Sequence, residues 1–243
     1  MDFPPPPSPE PAARPAQRNV GLQVLAEDLV LIAPGDARLN AIPAALPPGV
    51  RLEAPPLPFT LEAWTLCGGI GRLTARPARQ DVLGLTFVSP RHGRIEVGGR
   101  VVKNVAGYNA THLIVGLDPS LETPVHVDAL TLRLRPGPPA RTRGRDLPHA
   151  PGPDDWAELA ALGAAFAYAW PEGEAWRLQG VWLDDPRPAG LPPLAVRPGE
   201  GWGEVDDPPG GDSLPDGFLD ALGPVPRPPR ALTDLERRVV DAL

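Results

Sequence analysis

The chain has 243 residues, a net charge of −7 and a single cysteine. Thirty Asp and Glu residues against 23 Lys and Arg disfavour a basic nucleic-acid binder. One cysteine excludes a disulfide framework and a cysteine-built zinc or iron–sulfur centre within the chain, so redox chemistry would need a borrowed cofactor. No apolar run approaches the roughly 18 residues of a membrane span and no signal-peptide pattern opens the sequence, so we expect a cytoplasmic protein.

Proline is spread unevenly and predicts three regions. Residues 1–19 hold seven of the 37 prolines, residues 20–135 hold eleven and residues 136–243 hold nineteen. Because consecutive prolines lack amide donors and fix φ, residues 1–19 are predicted to be a disordered, extended tail. A first domain is predicted over residues 20–137 and a second lobe over residues 138–243.

The first domain begins with a predicted hairpin and a short helix. Two apolar runs, Leu22–Leu25 and Leu29–Ala33, flank a turn and predict paired strands. Asp36 fits the N-cap of a helix that Pro43 would bend or shorten; its apolar positions are Leu39, Ile42 and Leu46.

Farther along the first domain, glycines alternate with strand patterns. The segment Trp64–Gly71 contains three glycines, which permit tight turns or the close approach of a ligand. Gly98-Gly99 is typical of a two-residue hairpin turn. The remaining predicted elements are the strands Asp81–Val88, Arg94–Val97, Arg100–Val102 and Val125–Leu134, and a helix over Ala110–Val115 with Asn109 as its N-cap and Gly116 as its C′ residue.

The last third predicts a small α+β lobe. Asp154 or Asp155 fits the start of a helix, and Ala165–Trp170 with Ala175–Leu183 fits a strand pair turning at residues 171–174. Residues 186–230 are predicted to be mostly loop. Thr233–Glu236 has the capping-box pattern of a terminal helix.

One segment stands apart from the composition of the chain. Of the 23 basic residues, 22 are Arg, and the single Lys103 lies in the dodecamer GGRVVKNVAGYN, residues 98–109. The same twelve residues contain one of the two tyrosines. Such clustering favours a specific role over compositional drift.

The dodecamer resembles a signature of the FAD-linked oxidases of the vanillyl-alcohol-oxidase type, most closely the FAD-binding subunits of glycolate oxidases. Thr65–Gly71 is similar to the family's Thr- and Gly-Gly-containing segment, and residues 21–46 are similar to its strand pair plus helix. The resemblance covers roughly half of the chain. It implies an α+β fold like the second subdomain of a PCMH-type FAD-binding domain, followed by a small α+β cap lobe.

The resemblance also implies a site, a cofactor and partners. FAD would be approached by Gly68, Gly69, Lys103, Asn104, Gly107 and Tyr108. The flavin would perform the oxidation of a 2-hydroxy acid, while the protein binds and orients it. The implied partners are the second flavoprotein subunit and the iron–sulfur subunit of a glycolate-oxidase-like complex.

The sequence departs from the family in two places. Residues 1–19 carry prolines where relatives carry a Gly-rich loop for the FAD pyrophosphate, and Gly116–Pro124 contains Asp118, Pro119, Glu122 and Pro124 where relatives have glycines. Two alternatives follow: a flavin-free structural subunit that pairs with a flavoprotein, or half of a split flavoprotein. All three interpretations predict a partner, because half of a two-subdomain core should expose apolar sheet surface.

Each site residue also has a plain structural interpretation. Lys103 can be solvated at a strand end and Asn104 can cap a turn, while Gly107 and Tyr108 can serve turning and packing. Gly68-Gly69 can mark a strand-to-loop transition without any ligand. Cys67 fits a small buried filler better than a nucleophile, and the four histidines lack metal-ligand spacing.

Overall fold

The computed structural model describes residues 21–75, 78–89, 92–99, 111–117 and 125–183, and the backbone of two short strands at 203–204 and 219–220. The predicted tail, the hairpin partner at 100–102 and the terminal helix lie outside these residues. The strands are β1 (Gln23–Leu25), β2 (Val30–Pro34), β3 (Val50–Arg51), β4 (Val82–Ser89), β5 (Gly93–Gly98), β6 (His126–Arg133), β7 (Arg135–Pro136), β8 (Arg141–Leu147), β9 (Phe166–Glu172), β10 (Ala175–Trp182), β11 (Gly203–Glu204) and β12 (Leu219–Asp220). The helices are α1 (Ile42–Ala45), α2 (Leu61–Leu66), α3 (Thr111–Ile114) and α4 (Pro153–Ala161).

The first sheet has five antiparallel strands in the order β1-β2-β6-β4-β5. The predicted hairpin is confirmed, with Val24 opposite Leu31. The predicted strands over Asp81–Val88, Arg94–Val97 and Val125–Leu134 are confirmed as β4, β5 and β6. Mixed helices and antiparallel strands make this an α+β protein, in agreement with the predicted class.

One face of the first sheet carries the main hydrophobic core. Alternation along the strands sends every second side chain to the same face. Leu31 lies opposite Leu132, and Leu130 lies opposite Leu85, all 3% exposed or less. Trp64 of α2 is 1% exposed and belongs to the same cluster.

The opposite face of the first sheet mixes small, polar and aliphatic residues. Ile32, Thr131 and Gly84 lie in register there, beside Thr86 opposite Ala129. Among the described residues, Leu22 is the only exposed large hydrophobic side chain. The expected large apolar sheet surface is therefore not seen in the described part of the chain.

The helix predicted after Asp36 starts later than expected. A 3-10 turn at Leu39–Ala41 leads into α1, and neither has a side-chain N-cap bond. Asp36 as the cap is therefore wrong; it lies in the turn that follows β2. Pro43 lies in the first turn of α1, where a missing amide donor costs little.

A separate two-stranded sheet joins β3 and β7. β3 pairs with β7, and the Arg51 side chain lies against Gly137, whose φ of +146° no other residue adopts readily. Beside it, Arg135 Nη2 contacts Asp81 Oδ1 at 2.6 Å, and Asp81 is fully buried. Burial raises the pKa of the Asp81 carboxyl, although the hydrogen bond and charge of Arg135 act to lower it.

The second sheet is also antiparallel, in the order β11-β8-β10-β9-β12. The strand pair predicted for residues 165–183 is confirmed as β9 and β10. Strand β8 was not predicted, because its sequence RTRGRDL buries only Gly144 and Leu147 and lacks an apolar alternation. Strands β11 and β12 lie within the predicted loop at 186–230, where short runs with few apolar residues give no strand pattern.

Helix α4 covers one face of the second sheet. It begins at Pro153, one residue before Asp154 and two before Asp155, the two predicted starts. Gly152 is the N-cap, and its amide donates to Asp155 Oδ2 at 2.8 Å. Buried Leu159 packs at Gly180, where a β-carbon would lie 2.7 Å from Leu159 Cδ2. The missing side chain at Gly180 thus lets the helix approach the sheet.

The other face of the second sheet packs against the first region. Phe166, Tyr168 and Trp170 alternate along β9 and form a cluster with Leu57 and Ile70. The chain passes from β7 to β8 between Pro136 and Arg141, while the domain boundary at 137/138 stays a prediction.

Candidate functional site

The structure describes two of the six predicted site residues. Gly68 and Gly69 lie directly after α2. Lys103, Asn104, Gly107 and Tyr108 lie outside the described residues. The residues on both sides of their segment, Gly98-Gly99 and Thr111, are described.

Helix α2 positions the Gly68-Gly69 turn. Thr60 is its N-cap and accepts the Ala63 amide at 3.1 Å. The sequence predicted a glycine-rich turn at residues 64–71 but not the helix, because six residues are too few to show a clear period. The glycines therefore follow a helix and not a strand.

The amides of both glycines are used to end this helix. Gly68 N donates to Thr65 O at 3.0 Å and Gly69 N donates to Trp64 O at 2.9 Å. Their φ values of +74° and +98° lie in the region that favours glycine. The two glycines are thus required by the helix C-terminus itself.

Gly68 also meets the turn that ends α3. A β-carbon on Gly68 would lie 3.2 Å from Gly116 Cα, and Gly116 N donates to Thr65 O at 2.9 Å. The predicted C′ role of Gly116 is confirmed by its φ of +80°. Thr65 O therefore holds two glycine turns together.

The two ends of the dodecamer meet on the first sheet. Gly98 ends β5 opposite Gly84, and a β-carbon on Gly98 would lie 2.9 Å from Thr111 Cγ2 at the start of α3. The segment 100–110 therefore leaves and re-enters the described structure at neighbouring points. Gly116, one turn beyond α3, then brings this region to Gly68.

Two buried polar groups next to the turn were not predicted as site residues. Within the described ranges, neither Thr65 Oγ1 nor Trp64 Nε1 has a hydrogen-bond partner, although both residues are at most 1% exposed. The available signal was their position directly before Gly68 in the motif-like segment. Leaving such groups unpaired is unfavourable, so they are the unsatisfied polar atoms of this site.

These observations test whether Gly68 and Gly69 fit a flavin. Donors for a flavin or its phosphates must have free N–H groups, but both amides already bond to α2. On the side of the missing side chain, a β-carbon on Gly69 would be in van der Waals contact with Ala78 Cβ at 3.4 Å and with Trp64 Nε1 at 3.7 Å. The amides of Gly68 and Gly69 are therefore not available as donors to a flavin, whereas the close approach of a flavin to these glycines stays a prediction.

The second sheet carries polar groups on the face that turns toward the first region. Tyr168 lies opposite Gln179 in register, and both are at most 1% exposed. Gln179 Oε1 has no hydrogen-bond partner in the described part of the chain, and burial raises the pKa of the Tyr168 phenol. Tyr168 stacks on Trp170, with ring centroids 6.1 Å apart.

The titratable residues of the first sheet show no further constellation. His126 Nδ1 lies 3.4 Å from Glu62 Oε1, and the same oxygen accepts the Val127 amide at 2.9 Å. Over the described ranges, no group of three or more His, Cys, Asp or Glu residues could hold a metal ion. No helix of the described segments is long and apolar enough to cross a membrane.

Comparisons with known proteins give weak similarities only. No protein-family model and no curated protein matches the sequence. Among solved structures, the chain is similar to a Phl p 4 variant that is a glucose oxidase, with 15% identity over 67% of this chain and 34% of the other, at a TM-score of 0.45. A Phl p 4 variant that is a glucose dehydrogenase is similar at 18% identity, with the same coverage and TM-score.

The chain thus spans about a third of the length of these two structures. The class established by the coordinates is an α+β protein with two antiparallel five-stranded sheets.

Proposed function

We propose that the chain is an FAD-binding component of a flavin-dependent oxidoreductase, like the FAD-binding subunit of a glycolate oxidase. The observation that carries this proposal is the dodecamer GGRVVKNVAGYN at residues 98–109. The dodecamer contains the single lysine of the chain, Lys103, and one of its two tyrosines, whereas the other 22 of the 23 Lys and Arg residues are Arg.

The geometry around the dodecamer supports one continuous site. Its first residue, Gly98, lies beside Thr111, and Gly116 lies beside Gly68. Lys103, Asn104, Gly107 and Tyr108 therefore belong to a segment bounded by these contacts. We assign flavin contact to those four residues and not to the amides of Gly68 and Gly69.

The chemistry in such a component would belong to its cofactor. A bound flavin would supply hydride acceptance from a 2-hydroxy acid. The chain itself would bind and orient the cofactor, with the ammonium of Lys103 as the one lysine charge available to an electron-rich group. We further propose a cytoplasmic complex with a second flavoprotein and an iron–sulfur subunit.

A second candidate function is a flavin-free subunit, or half of a split flavoprotein, that pairs with a flavin-bearing partner. One observation that favours it is that the amides of Gly68 and Gly69 already donate to carbonyls of α2. The other is the presence of acidic and proline residues after Gly116: Asp118, Pro119, Glu122 and Pro124. Added negative charge and lost amide donors both weaken binding of an anionic cofactor.

A visible absorption spectrum separates these candidates. The purified chain is measured alone and after co-expression with the subunits encoded beside it. A yellow chain with one FAD per polypeptide supports the first proposal. A colourless chain that co-purifies with a flavoprotein supports a flavin-free subunit, and colour that appears only in the complex supports a split flavoprotein.

Lys103→Ala tests the residue assignment. If Lys103 contacts the flavin, the variant retains less FAD after gel filtration than the parent chain. Arg141→Ala is the matched control, because it removes one exposed positive charge from β8, outside the dodecamer. Equal FAD content in both variants would remove Lys103 from the site.

A further inference from the structure

The segment directly after the Gly68-Gly69 turn belongs structurally to the second sheet. Ala167 N of β9 donates to Gly71 O at 2.7 Å, and Arg72 forms an antiparallel bridge with Phe166. The amides of Leu73, Thr74 and Ala75 all donate to Ala165 O, at 2.9 to 3.2 Å. We call residues 70–75 the strap.

The strap side chains reach both faces of the second sheet. Ile70 and Ala75 join the cluster on the aromatic face of β9, whereas Leu73 packs in the cluster on the α4 face. The Thr74 hydroxyl adds a bond to Ala164 O at 2.9 Å. The strap therefore occupies the edge of β9 next to the place where β12 pairs with Ala169 and Tyr168.

Gly71 fixes how closely the strap can approach. Its φ is +64°, and a β-carbon there would lie 2.9 Å from Ala167 O. Only two residues lie between Gly68 and Gly71, and a β-carbon on Gly68 would lie 3.2 Å from Gly116 Cα. The turn is thus anchored on the first sheet through Gly116 and on the second sheet through Ala167.

We propose that the strap is a conformational device that couples docking of the second sheet to the geometry of the Gly68-Gly69 turn. Two anchors separated by so few residues cannot move independently, because trans peptides fix the distance between successive Cα atoms. Loosening the strap on β9 then releases the turn, and with it the Thr65 carbonyl that holds Gly68 and Gly116. An effect of this coupling on flavin retention rests on the proposed function, whereas the coupling itself does not.

Hydrogen exchange on the full chain tests the coupling without any cofactor. The variant is Gly71→Ala, and the matched control is Gly173→Ala, which has a φ of +65° and no atom within 4 Å of the added β-carbon. Both variants carry the same backbone strain, so only Gly71→Ala adds the contact with Ala167. We expect exchange at Leu73, Ala75 and Ala167 to be about tenfold faster in Gly71→Ala than in the control.

The coupling also predicts faster hydrogen exchange at the anchor on the first sheet, where Gly68 meets Gly116. Exchange at the amides of Gly69 and Gly116 should also accelerate, while amides of β2 and β6 keep their rates. Faster exchange at the strap with unchanged rates at Gly69 and Gly116 would overturn the coupling. Equal behaviour of Gly71→Ala and Gly173→Ala would overturn it as well.

A milder variant covers the case in which Gly71→Ala does not fold. Thr74→Val keeps the shape of the side chain and removes only its bond to Ala164 O. It should produce the same pattern at smaller amplitude. If FAD is found in the parent chain, its retention is measured separately, so a missing flavin refutes the proposed function and leaves the exchange result to decide the strap.

Discussion

The two five-stranded sheets are both antiparallel, but they are buried in different ways. The first sheet has one core face of Leu, Val and Phe side chains and one face that mixes small, polar and aliphatic residues. Strand β9 of the second sheet is buried on both faces, with aromatic side chains toward the first region and alanines toward α4. The second sheet therefore depends on contacts from both sides, including the strap.

The ion pair of Asp81 in the first region and those of Arg177 in the second sheet also differ in burial. The first region contains a fully buried carboxylate, Asp81, paired with Arg135. The ion pairs of Arg177 in the second sheet involve carboxylates more than half exposed. Removing the partner of Asp81 should thus be costly, whereas removing the charge of Arg177 should be nearly neutral.

Arg135→Gln tests the larger side of this contrast. Removing one partner of a buried pair leaves an uncompensated charge, so we expect a loss of about 3–5 kcal/mol in unfolding free energy near pH 7. The pKa of Asp81 is raised in the folded chain and loses its lowering contribution from Arg135 in the variant. The folded variant therefore binds more protons at Asp81 than its unfolded state does. The stability of the variant is fully present below the unfolded pKa of Asp81 and is lost as the pH rises through the folded pKa.

Urea unfolding at about pH 4.5 and pH 7 measures this effect. The loss should be smaller at the lower pH. Adding Asp81→Asn to Arg135→Gln is the control and should remove the extra pH dependence. An equal loss at both pH values in the single variant would contradict the buried-charge explanation.

Leu130→Ala and Leu178→Ala compare the cores of the two sheets. Both side chains are at most 1% exposed, so each truncation should cost about 2–5 kcal/mol. Because the aromatic face of β9 packs on Leu57 and Ile70, we expect each variant to shift one common transition in urea. Two separate transitions, each moved by one variant only, would show that the sheets unfold independently.

Thr65→Val asks whether the hydroxyl beside the glycine turn has a partner. In the isolated chain an unpaired buried hydroxyl is unfavourable, so the variant should gain about 1–3 kcal/mol in unfolding free energy. Thr74→Val is the same substitution at a hydroxyl bonded to Ala164 O and should lose stability. A loss in Thr65→Val would indicate that Oγ1 is hydrogen-bonded in solution.

Thr60→Ala tests the start of α2, the helix that carries the turn. Losing the bond from Ala63 N should cost about 0.5–2 kcal/mol. Thr60→Ser keeps the hydroxyl and should stay close to the parent chain in the same urea titration. Equal losses in both variants would point to packing of the Thr60 methyl group.

Arg177→Gln probes the surface of the second sheet and should have the smallest effect. Its contacts with Asp146 and Glu172 are exposed, so we expect a change of about 0.2–1 kcal/mol, reduced further by salt. Thermal unfolding at low and high ionic strength measures it. A larger, salt-independent loss would contradict the contrast between the two regions.

The strands with clear apolar patterns were predictable, and the polar ones were not. β2, β4, β6, β9 and β10 follow from their apolar residues, whereas β8 is a strand because β10 and β11 pair with it. The predicted N-cap role of Asp36 was wrong because the backbone turn after β2 leads into a 3-10 helix before α1 begins.

For the candidate site, the sequence alone determined the unusual dodecamer around Lys103, the glycine positions and the strand pattern around them. Those features depend on residue type and local period. The tertiary structure decided that Gly68 meets Gly116, that the amides of Gly68 and Gly69 are already used, and that residues 70–75 join the second sheet. The bonds of Gly68 and Gly69 are local to the end of α2, but its six residues are too few to show a helical period. The contact with Gly116 and the bonds of residues 70–75 link segments far apart in the chain, up to 90 positions for Thr74 and Ala164, and no local pattern encodes which distant partner a group finds.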